Sequence, residues 1–155
     1  MSKYKGVKNI FIREIPEEKM HLLNMLLENG ISVEVEGENT FEWAIKTNNE
    51  EMVRQLIPSV NVRRDHSRYL RIAAGVANAT IIKMLIDAGS DVTAYDNEAI
   101  INAAKSGNKA GVEVLLARGA NPLAQNNMPI LVAQQYGYTE ICRLLTDFIN
   151  GRRKF

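Results

Sequence analysis

The sequence predicts an all-α solenoid of stacked helix-turn-helix units with short fingers, which are the segments that connect one unit to the next. Three observations support that prediction. First, small and apolar residues recur at a spacing of 30 residues, as in Ala73, Ala103 and Ala133. Second, each period holds two segments with the three- and four-residue apolar spacing of an amphipathic helix. Third, Gly89 and Gly119 close the second segment, where a left-handed C-cap conformation costs glycine little.

The composition is that of an ordinary soluble protein with one hydrophobic core. Of the 155 residues, 46% are hydrophobic and 24% are charged, which is typical of a single globular domain. Nineteen Lys and Arg against 18 Asp and Glu give a net charge of +1, so the overall charge attracts neither nucleic acid nor a membrane surface. The single cysteine, Cys142, rules out an intrachain disulfide and is expected to be a buried apolar residue.

The N-terminal residues do not have the pattern of a signal peptide. Only residues 10–12 are consecutively apolar before charge returns at Arg13 and Glu14. No stretch approaches the roughly 20 apolar residues of a membrane span. We therefore expect an intracellular, cytoplasmic protein that does not bind a membrane.

The 30-residue spacing divides the chain into a half repeat and four full units. Leu85, Leu115 and Leu145 keep the register of the alanines, and the pattern continues upstream with a slip of one residue. The predicted organisation is an N-terminal arm or cap at 1–15, a repeat array at 16–150 and a basic tail at 151–155. Within the array we predict a half repeat at 16–36 and repeats at 37–66, 67–96, 97–126 and 127–150.

Each unit is expected to contain two short helices. In the third full unit these are predicted around 98–106 and 109–117, because an apolar residue and an alanine share one face of the first and a wider apolar stripe runs along the second. Thr80 and Thr139 precede the apolar stripes of other second helices, where N-caps are expected. The residues between one unit and the next form the fingers.

These motifs resemble those of the ankyrin-repeat family across roughly residues 18–150. The family unit begins Thr-Pro-Leu-His-x-Ala-Ala, has a glycine between its helices and closes Leu-Leu-x-x-Gly-Ala-Asp. Here 115–121 reads Leu-Leu-Ala-Arg-Gly-Ala-Asn, and Gly107 and Gly137 lie between helices. Residues 98–104 read Glu-Ala-Ile-Ile-Asn-Ala-Ala, without Thr-Pro-Leu-His, so we expect the first helices to be weakly capped.

The repeat is shorter than the family unit of about 33 residues. The missing residues fall in the finger, so we expect tight turns there instead of β-hairpins. Short-fingered repeats of this kind are similar to those of large-virus ankyrin proteins, and the resemblance implies a viral origin.

Both ends of such an array need surfaces that can meet water. At the N-terminal end, residues 9–12 are interpreted as a cap lying across the first repeat, with a partner-binding arm as the alternative, and 16–18 as a helix start. At the C-terminal end, Arg143, Asp147 and Arg152 are predicted to lie on the outer side of the last helix.

The sequence contains no pattern of catalytic or metal-ligating residues. Neither His21 nor His66 has a second His or Cys at metal-ligand spacing, and no Gly-x-x-x-x-Gly-Lys phosphate loop occurs. A nucleophile and a base cannot be paired without arbitrary choices. We therefore expect no enzymatic activity, no catalytic residue, no cofactor and no metal.

Without such residues, the function that the sequence favours is binding of a partner through the surface of the repeats. In the family, the partner meets the finger tips and the outward ends of the first helices. Around the second finger, Arg63, Arg64, His66, Arg68 and Arg71 lie close together, and arginine pairs carboxylates bidentately, so we expect a protein partner with an acidic surface. The predicted partner-binding residues are Arg63, Arg64, His66, Arg68, Arg71, Tyr95, Asn97, Lys105, Gln125, Asn127, Gln135 and Tyr136.

The predicted function is a protein–protein interaction module, a standalone and monomeric inhibitor or adaptor that occludes a partner's surface. The resemblance to viral proteins adds a narrower interpretation, an antagonist of a host factor. The alternative is a nucleic-acid-binding or nucleotide-binding regulator that uses the patch Arg63–Arg71, although nucleic acid is not the partner we favour. A third hypothesis is an accessory subunit with a role in assembly.

Overall fold

A computed structural model describes residues 9–12, 20–29, 32–35 and 38–151. The chain forms two compact units, Met1–Ala44 and Ile45–Phe155, and the boundary between them falls within helix α2 (Thr40–Lys46). None of the helices in the described ranges is both long and apolar enough to cross a membrane.

The N-terminal unit contains a small three-stranded sheet that the repeat pattern did not predict. Its order is β1-β2-β3, with β1 parallel to β2 and β2 antiparallel to β3. A helix connects the two parallel strands, as parallel pairing requires. The elements are β1 (Asn9–Ile12), α1 (Met20–Glu28), β2 (Ser32–Val35) and β3 (Glu38–Asn39).

The sheet gives residues 9–12 a partner within their own unit. Ile10 is paired with Val33 and Ile12 with Val35. The predicted helix start at 16–18 lies outside the described residues. The domain boundaries at 15/16 and 36/37 stay predictions, as does the choice between a cap and a partner-binding arm.

The second unit is a stack of helix pairs, and the prediction of helix-turn-helix units is confirmed. First helices contact the first helices of neighbouring pairs, and second helices contact second helices. The first helices are α4 (Arg64–Val76), α6 (Ala94–Lys105) and α8 (Ala124–Gln135). The second helices are α3 (Glu50–Leu56), α5 (Ala79–Asp87), α7 (Lys109–Ala117) and α9 (Thr139–Ile149), and a 3-10 turn (Ile57–Ser59) follows α3.

The residues that keep the 30-residue register form the core of this stack. Ala73, Ala103 and Ala133 are completely buried, and so are Leu85, Leu115 and Leu145. Because alanine has only a methyl group, neighbouring first helices can approach closely, and a larger side chain there would overpack the interface at a cost of about 1–3 kcal/mol.

Asparagines are the N-caps of α3, α5 and α7, and Tyr138 precedes α9, so the prediction of threonine N-caps was wrong. The Asn78 and Asn108 side chains accept hydrogen bonds from the backbone N–H groups of the third helical residues of α5 and α7, both at 3.0 Å. Thr80 and Thr139 lie within the helices. Asn108 also donates through Nδ2 to the carbonyls of Ala74 and Ala77, at 3.1 and 3.0 Å. One side chain therefore caps its own helix and ties it to the preceding pair.

The last helix pair has a more polar outward face than the pairs before it. Three positions that the next pair buries, occupied by Ala104, Val112 and Leu116 in the preceding unit, hold Gln134, Cys142 and Thr146. Gln134 and Thr146 are exposed and Cys142 is half-buried. A polar outer face of this kind is typical of a terminal repeat and allows the face to meet water.

The residues predicted to form that outer side lie elsewhere. Arg143 and Asp147 line a groove together with Lys109 of α7, between the second helices. At about 100° around the axis per residue, Arg143 and Asp147 lie about 80° and 120° from the centre of the face formed by Cys142 and Thr146, so they flank this face and do not form it. Arg152 lies outside the described residues.

Substitution of Gly111 tests how tightly the pairs are joined. A Cβ there would lie 2.6 Å from Nδ2 of Asn108 and 3.0 Å from Cδ1 of Ile82. We expect Gly111→Ala to lower the free energy of unfolding by about 1–3 kcal/mol in urea denaturation, although alanine favours a helix.

Gly75→Ala is the matched control, because Gly75 also lies within a helix and its Cβ would lie 3.3 Å from Oγ of the exposed Ser106 and 3.9 Å from Cβ of Asn102. This variant is expected to be as stable as the original chain or more stable. Equal stability of the two variants would contradict the proposed role of Asn108.

Candidate functional site

Each of the last three fingers turns through three consecutive left-handed residues. The φ angles lie between 47° and 68° at Asp65–Ser67, Tyr95–Asn97 and Gln125–Asn127. No strand forms in these fingers, so the predicted tight turns are confirmed. None of these residues is glycine, and a left-handed conformation costs such residues roughly 1–2 kcal/mol each. The turns therefore depend on compensating interactions.

Hydrogen bonds between neighbouring fingers supply part of that compensation. Ser67 and Asn97, each the third residue of its turn, are buried. The backbone N–H of Asp91 donates to Ser67 Oγ at 2.8 Å, and that of Asn121 donates to Asn97 Oδ1 at 2.7 Å. The turns at Asp65–Ser67 and Tyr95–Asn97 are thus each tied to the following finger by a short polar side chain.

Asn97 is therefore not the exposed finger-tip residue that we predicted. Only 6% of it is exposed, and its amide oxygen is engaged by Asn121. Asn127, the equivalent residue one unit later, is exposed as predicted. The difference arises because Asn97 has a following finger beside it.

Arg71 has a structural role that the prediction of a basic docking patch did not anticipate. Its guanidinium donates to the carbonyls of Asp65 and His66, at 3.0 and 3.3 Å, and pairs with Glu98 at 2.6 Å. It also lies 4.5 Å from the centre of the Tyr95 ring. Only 18% of its side chain is exposed. Arg71 thus stabilises the left-handed turn and is not available as a docking arginine.

The ring of Tyr95 contacts His66 of the preceding finger and Arg71 of α4. The His66 ring meets it edge-on, with the ring centroids 4.9 Å apart and the planes at 80°. Arg71 stacks on it, yet 57% of Tyr95 is exposed. A cleft of about 630 Å³ lies between the fingers, lined by Arg63, Asp65, His66, Ser67, Asp91, Thr93, Ala94 and Tyr95.

Asp91 is ionised within this cleft. The hydroxyl of Thr93 donates to its carboxylate at 2.8 Å and the backbone N–H of Thr93 at 2.9 Å. These two bonds, in that order, lower the pKa of Asp91, and the positive charge of Arg63 adds to the effect. The cleft therefore contains charges of both signs.

A second depression runs along the first helices, from Tyr95 to Tyr136. This groove between α6 and α8 has a volume of about 550 Å³. Five of the predicted binding residues line it: Tyr95, Lys105, Gln125, Gln135 and Tyr136. The residues that we did not predict there are Glu98, Ile101, Asn102, Met128 and Val132.

The spacing of those missed residues could have revealed them. Glu98, Ile101 and Lys105 are separated by three and four residues, which places them on one face of α6. Met128 and Val132 have the same relation on α8. Because a half-buried apolar residue is usually assigned to the core, the sequence pattern alone does not show that these side chains form the floor of a groove.

Tyr136, at the far end of the groove, is also held by a neighbour. Its ring stacks on Tyr138, with centroids 6.3 Å apart and planes at 19°, and half of Tyr136 is exposed. Tyr138 packs against Gly107, where a Cβ would lie 2.7 Å from the ring. Gly107 has a φ of 72°, so both its conformation and its small size are needed.

The predicted site residues thus fall into four groups. Arg63, His66 and Tyr95 line the cleft, and five residues line the groove, with Tyr95 common to both. Arg64, Arg68 and Asn127 are exposed but line neither depression, and Arg64 lies 3.5 Å from the carboxylate of Asp65. Arg71 and Asn97 serve the fingers themselves.

Stacked helix pairs, linked through their fingers and carrying a groove along the first helices, define a helical repeat protein. A family model described as ankyrin repeats (three copies) matches residues 69–154. The chain belongs to the ankyrin-repeat family, as the resemblance of its motifs predicted, and repeats of this family indicate a protein–protein interaction module. No curated protein matches the chain.

The hydrogen bond between fingers can be tested with a pair of asparagine variants. We expect Asn97→Ala to lower the free energy of unfolding by about 1–3 kcal/mol, because the N–H of Asn121 loses its acceptor in a part-buried position. Asn127→Ala is the control, because Asn127 has a similar left-handed φ but is exposed. If both substitutions cost the same in urea denaturation, the cost comes from the turn conformation and not from the bond.

The pKa of Asp91 provides a second test. Because it is lowered in the folded state, the interactions of Asp91 stabilise the fold above its unfolded pKa of about 3.9, and this contribution is lost as the pH falls through the folded pKa. Thr93→Val removes the hydroxyl, so we expect the pKa of Asp91 to rise in a carbon-13 NMR titration of its carboxyl. Thr80→Val serves as the control, and equal titrations of Asp91 in both variants would contradict this assignment.

Proposed function

We propose that this chain is a monomeric binding module of the cytoplasm that covers an acidic surface of a partner protein, as an inhibitor or an adaptor. The observation that carries the proposal is the continuity of the two depressions. Tyr95 lines both the cleft and the groove, and this shared residue supports the proposal that the finger surface and the first-helix surface bind the partner together. Tyrosine is enriched among the residues that contribute most to the free energy of binding at protein interfaces.

Exposed arginines beside the cleft are the reason for proposing an acidic partner. Arg63, Arg64 and Arg68 are exposed on the second finger and the start of α4. The Asp91 carboxylate accepts two hydrogen bonds from Thr93, which lower its pKa, and the charge of Arg63 lowers this pKa further. Arginine can offer a carboxylate two parallel hydrogen bonds, which gives an acidic surface both affinity and orientation.

No observation specifically favours the nucleic-acid or nucleotide alternative. Arg71 is used within the finger, which leaves one arginine fewer for contacts with phosphate. A virus-encoded antagonist of a host factor is a narrower form of the proposal, and only the resemblance to short-fingered viral repeats supports it. An accessory subunit would use the same face.

The test is partner capture from the native host followed by affinity measurement with charge-reversal variants. We expect Arg63→Glu with Arg64→Glu to weaken binding of the captured protein at least about tenfold, because like charges then face the acidic partner. The matched control is Lys83→Glu with Arg143→Glu, which makes the same change of charge at exposed positions on the second helices. Circular dichroism verifies that both variants are folded.

Equal binding by the two double variants would contradict the proposal. Recovery of nucleic acid alone, with an affinity that falls steeply as salt rises, would support the alternative instead.

A further inference from the structure

The groove between α6 and α8 has an apolar floor with an aromatic wall at each end. Ile101, Met128 and Val132 form the apolar part, and the exposed rings of Tyr95 and Tyr136 stand at the two ends. Such a floor excludes water from a side chain that enters it, which favours an apolar ligand.

The groove is short, and this limits what it can hold. Glu98 and Lys105 are seven residues apart on α6, which corresponds to about 10 Å along the helix axis. That length accommodates one or two side chains of a bound segment and is too short for a complete helix of a partner to lie along it.

The charges of the groove are not balanced, because its one acidic group is already neutralised. The Glu98 carboxylate is bound by Arg71 at 2.6 Å. Lys105 is exposed in the groove, and no ion pair joins it to any other residue in the described ranges. The groove therefore offers one uncompensated cation beside an apolar floor.

Both tyrosine rings have contacts within the chain in the absence of a partner. Arg71 and His66 hold Tyr95, and Tyr138 holds Tyr136. Gln125 also donates to the carbonyls of Tyr95 and Asp96, both at 3.3 Å, which joins the two sides of the groove at this end. Contacts made before binding reduce the conformational entropy that the two tyrosine rings lose when a ligand binds, which raises the affinity for a short ligand.

We propose that this groove binds a linear segment of the partner protein in which an apolar residue lies within four positions of an Asp or Glu. The apolar side chain enters between Ile101, Met128 and Val132, and the carboxylate pairs with Lys105. The inference rests on the proposed function, since it specifies which part of an acidic partner the first-helix surface recognises.

A displayed library of random 12-residue peptides, selected on the full chain, provides the probe. We expect enriched peptides to combine Leu, Met or Phe with an acidic residue within four positions. The best peptide, synthesised with a fluorescent label, should bind at least about tenfold more weakly to Lys105→Glu, because the cation becomes an anion. Lys83→Glu, the same substitution at an exposed position on α5, should bind it unchanged.

Two further variants make the assignment specific. Replacing the acidic residue of the peptide by lysine should restore binding to Lys105→Glu, as expected for a direct ion pair. Val132→Lys should abolish peptide binding, because it places a charge in the apolar floor of the groove. Since Val132 is only half-buried, we expect this variant to fold, and circular dichroism verifies that it does.

Several outcomes would overturn the inference. These are no enriched peptides, enrichment without an acidic residue, and binding that ignores both Lys105→Glu and Val132→Lys. Self-association that Val132→Lys abolishes would assign the groove to a second copy of the chain. The affinity for the captured partner separates this inference from the proposed function. If Arg63→Glu with Arg64→Glu weakens binding of that partner while Lys105→Glu and Val132→Lys do not, only the groove inference is wrong.

Discussion

The left-handed turn in each finger is the constraint on which the rest of the repeat depends. Three residues such as Tyr95–Asn97 reverse the chain in less length than a β-hairpin, which explains a unit of 30 residues instead of about 33. The conformation is costly for residues other than glycine. At Asp65–Ser67 and Tyr95–Asn97 it persists because Ser67 and Asn97 are buried and bonded to the next finger, so that the stack, and not the local sequence, stabilises these two turns.

The same turns determine where the binding residues lie. Arg71 satisfies the carbonyls of Asp65 and His66 and at the same time supports the Tyr95 ring, so one guanidinium links finger conformation to the exposed surface. Tyr95 then lines both the cleft and the groove. Because these contacts join consecutive repeats, a loss of structure in one finger would displace side chains on the surface of the next repeat. Stability and recognition therefore share the same residues at this point of the molecule.

The sequence predicted the periodic features well because they depend on repeated spacing. The alanines at 73, 103 and 133 and the helix limits near 109–117 follow directly from apolar periodicity, and the glycine of the family motif locates the turn at Gly107. The left-handed fingers could not be predicted, because their acceptors and donors lie 24 residues apart, as Ser67 and Asp91 do. For the same reason Arg71 and Asn97 were assigned to a partner surface, when tertiary contacts engage both. The sheet of the N-terminal unit has no repeat signal at all.

Amide hydrogen exchange at Asp91 and Asn121 tests the central claim most directly, since their N–H groups make the bonds between fingers. If these bonds hold the left-handed turns, both amides should exchange only through opening of the stack, with protection close to that of the buried helices. Protection should be lost in parallel with that of the core as denaturant is added. Exchange of both amides at the rate of an unstructured chain, while α5, α6 and α7 remain protected, would contradict the account.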